Sequence, residues 1–88
     1  MLNKYELISF ILRAKNRREI IKHLKEGNKT ASELVKLTGM YKSHVSRTLA
    51  ELQMEELIEC LNPKDREYKF YRLTKKCKLL LPCLKNNI

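Results

Sequence analysis

The stretch Thr30 to Leu52, TASELVKLTGMYKSHVSRTLAEL, decides the fold of this 88-residue chain. It opens on Thr30-Ala31-Ser32-Glu33, a capping box in which a threonine hydroxyl and a glutamate three residues on satisfy each other's backbone N–H groups at a helix start. Ala31, Leu34, Val35 and Leu37 then recur at helical spacing and predict a short amphipathic helix over 31–38. Gly39 stops it, because glycine adopts the left-handed conformation that closes helices without steric cost. After a tight turn, Val45, Leu49 and Leu52 fall on one stripe and predict a helix over about 42–56. Two short helices meeting at a glycine turn make a helix-turn-helix.

Reading outward, Ile58 to Leu61 is strand-like. Asn62-Pro63-Lys64-Asp65 is a turn, since proline fixes its own φ and Asn and Asp bond the local backbone. Tyr68 to Leu73 is rich in aromatics and reads as a returning strand. The predicted hairpin, or wing, covers 58–73. Thr74 caps a last helix expected over 75–85, carrying Cys77, Leu80, Leu81 and Leu84. Pro82 should kink or end that helix near Leu81. Toward the N-terminus, Leu7, Ile8, Ile11 and Leu12 predict a first helix over about 3–14. Asn16-Arg17-Arg18-Glu19 reads as a second capping box, opening a helix over 17–26 with Ile20, Ile21 and Leu24 inward and Gly27 at its end. The expected fold class is mainly α with a small β-hairpin: a single winged helix-turn-helix domain over 1–88.

Composition bounds the function. Lys and Arg outnumber Asp and Glu by 19 to 10, a formal net charge of +9 that favours an anionic partner. The excess sits at the ends. Residues 1–29 carry eight basic and three acidic groups, and residues 74–88 carry four basic groups and no acid. Residues 30–57 carry three basic groups and four acidic ones, so the middle is nearly neutral. The longest early apolar run, Leu7 to Leu12 with Ser9 inside it, falls far short of the roughly 20 residues of a membrane span. No membrane partner is expected, and the expected location is the cytoplasm. Cys60, Cys77 and Cys83 form no C-x-x-C pair and read as small buried or half-buried thiols. Nothing pairs a nucleophile with a base or forms a glycine-rich phosphate loop, so an enzyme is the least favoured class. No metal and no cofactor are expected.

With Val45 and Leu49 facing the core, Ser43 and Arg47 point directly away from it and His44 lies beside them. Lys42, Ser43, His44 and Arg47 thus lie near the N-terminal half of an exposed helix face, the part of a recognition helix that reaches base edges in the major groove. Arg47 has the donor fork that pairs with guanine. Thr30, at the start of the preceding helix, is a candidate for the phosphate backbone. Lys64, Arg66 and Lys69 bracket the hairpin tip and are placed for phosphates or a minor groove. Arg17 and Arg18 are further phosphate candidates. Double-stranded DNA is the expected partner. The rival reading is a winged helix used for contact with another protein in a transcription or replication assembly, since fold does not fix function.

The segment SELVKLTGMYKSHVSRTLAELQMEELIECLNPKDREYKFYRLT resembles the small prokaryotic winged-helix regulators, the archaeal branch near the ArsR and MarR families in particular. HVSRTLAEL and FYRLT carry most of the likeness. The resemblance implies a sequence-specific transcriptional regulator, usually a homodimer, with DNA contacts from the positions matched by Tyr41, Lys42, Ser43, His44, Ser46 and Arg47 and from the wing. Three residues depart from the family pattern. Tyr41 stands where a capping serine is frequent. Glu56 and Cys77 stand where glycine is frequent. The thiolate pair of metal-sensing members is missing, since residues 40–54 contain no cysteine. Leu79, Leu80, Leu81 and Leu84 give the last helix apolar residues on more than one side, more than one small core would cover. A homodimer is therefore expected, with Tyr5, Ile8, Leu12, Leu80, Leu81 and Leu84 at its interface.

Overall fold

Among the described residues, fifteen apolar ones are buried together, and they come from every helix and both long strands. Their spacing explains the architecture of the computed structural model, which describes residues 2–84 and residue 88. The elements run α1 (Lys4–Leu12), α2 (Lys15–Lys25), β1 (Lys29–Thr30), α3 (Ala31–Thr38), α4 (Lys42–Met54), β2 (Ile58–Cys60), β3 (Phe70–Leu73), α5 (Lys75–Lys78) and α6 (Leu81–Leu84). Leu34 of α3, Val45, Leu49 and Leu52 of α4, and Ile20, Ile21 and Leu24 of α2 meet in the centre, as their periodicity requires. Leu37 departs from that pattern and is half exposed.

The helix-turn-helix is closed by local hydrogen bonds. Thr30 Oγ1 accepts from Glu33 N (3.1 Å), and Glu33 Oε1 accepts from Thr30 N (2.9 Å), so the expected capping box is complete. Gly39 takes φ 73° and donates its N–H to the Val35 carbonyl. Open space surrounds the position a Cβ would occupy there. The demand for glycine is thus purely a backbone demand.

The second predicted capping box is not formed. Helix α2 begins at Lys15 with Ala14 as its N-cap and no side-chain cap, so Asn16 lies inside the first turn. The same Asn-x-x-Glu spacing acts instead at Asn3 and Glu6, where both reciprocal bonds are present (2.9 and 3.0 Å). Helix α1 ends at Leu12, two residues short of the expected boundary. The two arginines that follow explain the abrupt corner. Arg17 donates to the Phe10 carbonyl and Arg18 to the Leu12 carbonyl, so α2 satisfies the carbonyls at the end of α1.

The wing belongs to a sheet of three strands, in the order β1-β3-β2, rather than to a lone hairpin. Lys29 and Thr30 pair antiparallel with Tyr71 and Phe70. On the other side Ile58, Glu59 and Cys60 pair with Leu73, Arg72 and Tyr71. The sheet therefore ties the start of α3 to the base of the wing. The last helix is also divided. Chain direction changes at Leu79–Leu80, ahead of Pro82, which falls in the first turn of α6. A proline there needs no donor, whereas one continuous helix would leave the Lys78 carbonyl without its bond and crowded by the ring. Lys85, the expected last residue of that helix, lies outside the described residues. No helix among the described residues is long and apolar enough to cross a membrane.

Candidate nucleic-acid interface

Helix α4 presents one bare face. Its inner stripe, Val45, Thr48, Leu49 and Leu52, is buried, and the Thr48 hydroxyl is satisfied by the His44 carbonyl (2.8 Å). Tyr41, Lys42, Ser43, His44, Ser46 and Arg47 are all exposed. Tyr41 is the N-cap residue and gives no side-chain cap, as a phenol at that position must. Its ring instead meets the His44 imidazole edge to face, with centroids 5.6 Å apart. The first-turn N–H groups of α4 thus have no side-chain acceptor, at the end of the helix that favours anions, and that of His44 is held by the Tyr41 carbonyl at 3.0 Å. That first turn carries no acid.

The other predicted residues fall into two groups. Lys64, Arg66 and Lys69 are exposed on the wing and pair with no carboxylate among the described residues. Asp65 Oδ1 turns inward and accepts from the N–H groups of Glu67 (2.9 Å) and Tyr68 (3.0 Å). Those backbone bonds hold its carboxyl below the usual carboxylate range. Asn62 closes the base of the tip, accepting from Phe70 N (2.8 Å) and donating to the Tyr68 carbonyl. The second group is engaged within the protein. Thr30 Oγ1 is occupied in its capping box. Arg17 is only 17% exposed: it donates to the Phe10 carbonyl (2.7 Å), stacks on the Phe10 ring at 3.7 Å and pairs with Glu51 of α4. Arg18 is half-buried beside Leu12.

A polar cleft runs between the start of α2 and the outer face of α4, lined among others by Lys15, Arg17, His44, Arg47 and Glu51. Glu51 is the residue in this region whose role sequence reasoning missed. Its spacing of four from Arg47 is visible in the chain, but its pairing with Arg17 crosses 34 positions and leaves no local signal.

The expected subunit interface needs correction. Leu80 and Leu84 are buried in the monomer's own core, at 4% and 0% exposure, and have no surface to offer a second copy. Ile8, Leu12 and Leu81 are half-buried against that core. Tyr5 and Leu79 are the bare apolar residues nearby, at 78% and 68% exposure. Leu79 lines a groove between α1 and α5 together with Leu2, Lys4, Leu7, Lys76 and Leu80. The three thiols differ: Cys83 is exposed, Cys60 is intermediate, and burial pushes the Cys77 thiol up to about 11. No group of three or more His, Cys, Asp or Glu residues among those described could hold a metal ion.

Solved structures similar to this one include bacterial regulators. The transcriptional repressor BigR from Xylella fastidiosa superposes with a TM-score of 0.77 at 23% identity, over 96% of this chain and 83% of that one. The reduced form of the transcriptional regulator YodB from B. subtilis gives 0.77 at 24% identity, over 98% and 86%. A mutant of Lactococcus lactis ZitR gives 0.75 at 20% identity over 84% of this chain, which spans about half (51%) of ZitR. At these identities the likeness establishes the fold. No curated protein sequence matches the chain. Residues 14–59, from the α1–α2 corner to β2, match the bacterial regulatory proteins of the arsR family. The chain belongs to the arsR family of bacterial regulatory proteins and is a DNA-binding transcription regulator, not an enzyme.

Proposed function

We propose that two copies of this chain bind one duplex in a sequence-specific way, each lowering the N-terminal half of α4 into the major groove. Tyr41, Lys42, Ser43, His44, Ser46 and Arg47 are the contacting residues. Arg47 reads a base edge, and the free N–H groups at the start of α4 meet a phosphate. Lys64, Arg66 and Lys69 of the wing lie along the backbone or the adjacent minor groove. The single observation that carries this reading is the bare, uncapped first half of α4, whose six side chains are all exposed on a helix anchored from below by Val45, Leu49 and Leu52. The dimer forms through the α1–α5 side, where Tyr5 and Leu79 are exposed beside the half-buried Ile8, Leu12 and Leu81. Arg17 and Arg18 contribute field rather than direct phosphate contacts, because their guanidiniums already hold the end of α1.

Selection of bound duplexes from a random pool tests the reading, followed by affinity measurements at several salt concentrations. The expected result is an enriched sequence with two-fold symmetry and an affinity that falls steeply with salt, as condensed cations leave each neutralised phosphate. No enrichment, with affinity flat in salt, would move the bare face of α4 to a protein partner.

A further inference from the structure

Arg47 and Glu51 stand four residues apart on α4, the spacing at which helical side chains become neighbours. Both line the cleft beside α2. A guanidinium and a carboxylate so placed would pair along the helix surface, and a paired Arg47 could not offer its fork to a base. The pair that exists is a different one. Glu51 Oε1 faces Arg17 Nε at 3.4 Å, and Arg47 has no carboxylate partner among the described residues. Arg17 is itself fixed from the far side. Its Nη1 donates to the Phe10 carbonyl at 2.7 Å, and its guanidinium lies 3.7 Å over the Phe10 ring. Its side chain is 17% exposed, and that of Glu51 is 39% exposed. The guanidinium is thus held in place before it meets Glu51, so little further side-chain freedom is lost on pairing.

We propose that Arg17 is a positioning residue for DNA reading: by holding Glu51 it keeps Arg47 unpaired and available to the duplex. The inference rests on the reading of α4 given above and adds a device that belongs to this chain's own residues. It also accounts for an acid beside a DNA-reading face. Glu51 is paired with a cation that α2 supplies, and its charge is partly neutralised before a phosphate approaches. Removing Arg17 should therefore act on DNA binding through Glu51, not only through the α1–α2 corner.

The test is a double-substitution cycle read on a duplex enriched from the random pool, with a random-sequence duplex as reference. Arg17→Gln should weaken binding to the enriched duplex about two- to fivefold, the range of one partly exposed ion pair. Adding Glu51→Gln to Arg17→Gln should restore most of the affinity lost in Arg17→Gln, because no carboxylate remains to capture Arg47 and only the field of Arg17 is missing. Arg17→Lys keeps a charge opposite Glu51 but loses the planar stack on Phe10. It should lower the thermal midpoint while leaving DNA affinity within about twofold of the parent protein. In the DNA-free protein, 15N relaxation of the Arg47 Nε should show a mobile side chain in the parent and an ordered one in Arg17→Gln. A loss at Arg17→Gln that Glu51→Gln does not repair would overturn the proposal and leave Arg17 a purely structural corner residue. So would an Arg47 side chain equally mobile in both proteins. Failure of the underlying reading looks different: Arg47→Ala would then bind the enriched duplex as well as the parent does, while the relaxation result would still decide whether Arg17 keeps Glu51 from Arg47.

Discussion

Glu56 holds the one left-handed backbone among the described non-glycine residues, at φ 57°. It sits where α4 gives way to β2, and its carbonyl accepts from the Thr74 hydroxyl at 2.7 Å while Lys76 Nζ donates to the Glu55 carbonyl at 3.1 Å. A side chain in that conformation costs about 1–2 kcal/mol, which the clamp from Thr74 and Lys76 offsets. Glu56→Gly should raise stability by up to about 1 kcal/mol in urea unfolding, the steric relief exceeding the extra entropy of an unfolded glycine. An unchanged or lowered midpoint would mean that the glutamate side chain itself contributes. This position was legible as a departure from the family pattern, where glycine is frequent. The corner at Ala14 was not. Asn16 and Glu19 carry the same spacing as Asn3 and Glu6, yet only the latter pair caps a helix. What decides between them is the grip of Arg17 and Arg18 on carbonyls six or seven residues back, which no local pattern encodes.

Among the elements, α3 was legible from its cap, its glycine stop and all of its apolar period but Leu37, and α4 from its apolar stripe, although α4 has no side-chain cap and ends at Met54, two residues short of the expected boundary. Strand β1 was not: two residues carry no alternation, and Lys29 and Thr30 become a strand only because Phe70 and Tyr71 return beside them. Nor was the break at Leu79–Leu80, since proline announces that a helix must stop but not how far upstream the chain turns. In the wing, Asp65 accepts from two backbone N–H groups. Its carboxyl is held below the ordinary range, so the folded wing favours the ionised form. That contribution is complete above the unfolded carboxylate range and is lost as pH falls through the lowered folded value. Amide exchange at Glu67 and Tyr68, corrected for the intrinsic pH dependence, should therefore lose protection on acidification below about pH 4. In Asp65→Ala the same two amides should be unprotected at neutral pH. Equal protection in the variant would contradict the role given to this side chain.

For the whole molecule, the charge pattern and the exposed apolar residues have to be explained together. Net charge of +9 sits mostly outside the nearly neutral stretch that contains α3 and α4. The face of α4 proposed to read DNA is thus a set of specific donors within a broadly positive protein, which suits attraction at long range and discrimination at contact. Tyr5 and Leu79 belong to the opposite problem, apolar groups left in water on the α1–α5 side. Sequence periodicity identified that side as overloaded with leucine but assigned Leu80 and Leu84 to the interface. Both are buried in the monomer's own core, where α6 packs on α1. Leu79→Glu should convert a dimer to a monomer in sedimentation equilibrium with little change in the far-ultraviolet circular dichroism. A parent protein that is monomeric at every concentration, or a variant that stays dimeric, would contradict this interface. The account as a whole depends on Arg47, bare on the outer face of α4. The most direct test compares Arg47→Ala with the parent on an enriched duplex and on random DNA. The account predicts a loss of about 1–3 kcal/mol on the enriched duplex and little on random DNA. An equal loss on both would reduce Arg47 to a phosphate contact, and no loss on either would contradict the placement of α4 in the groove.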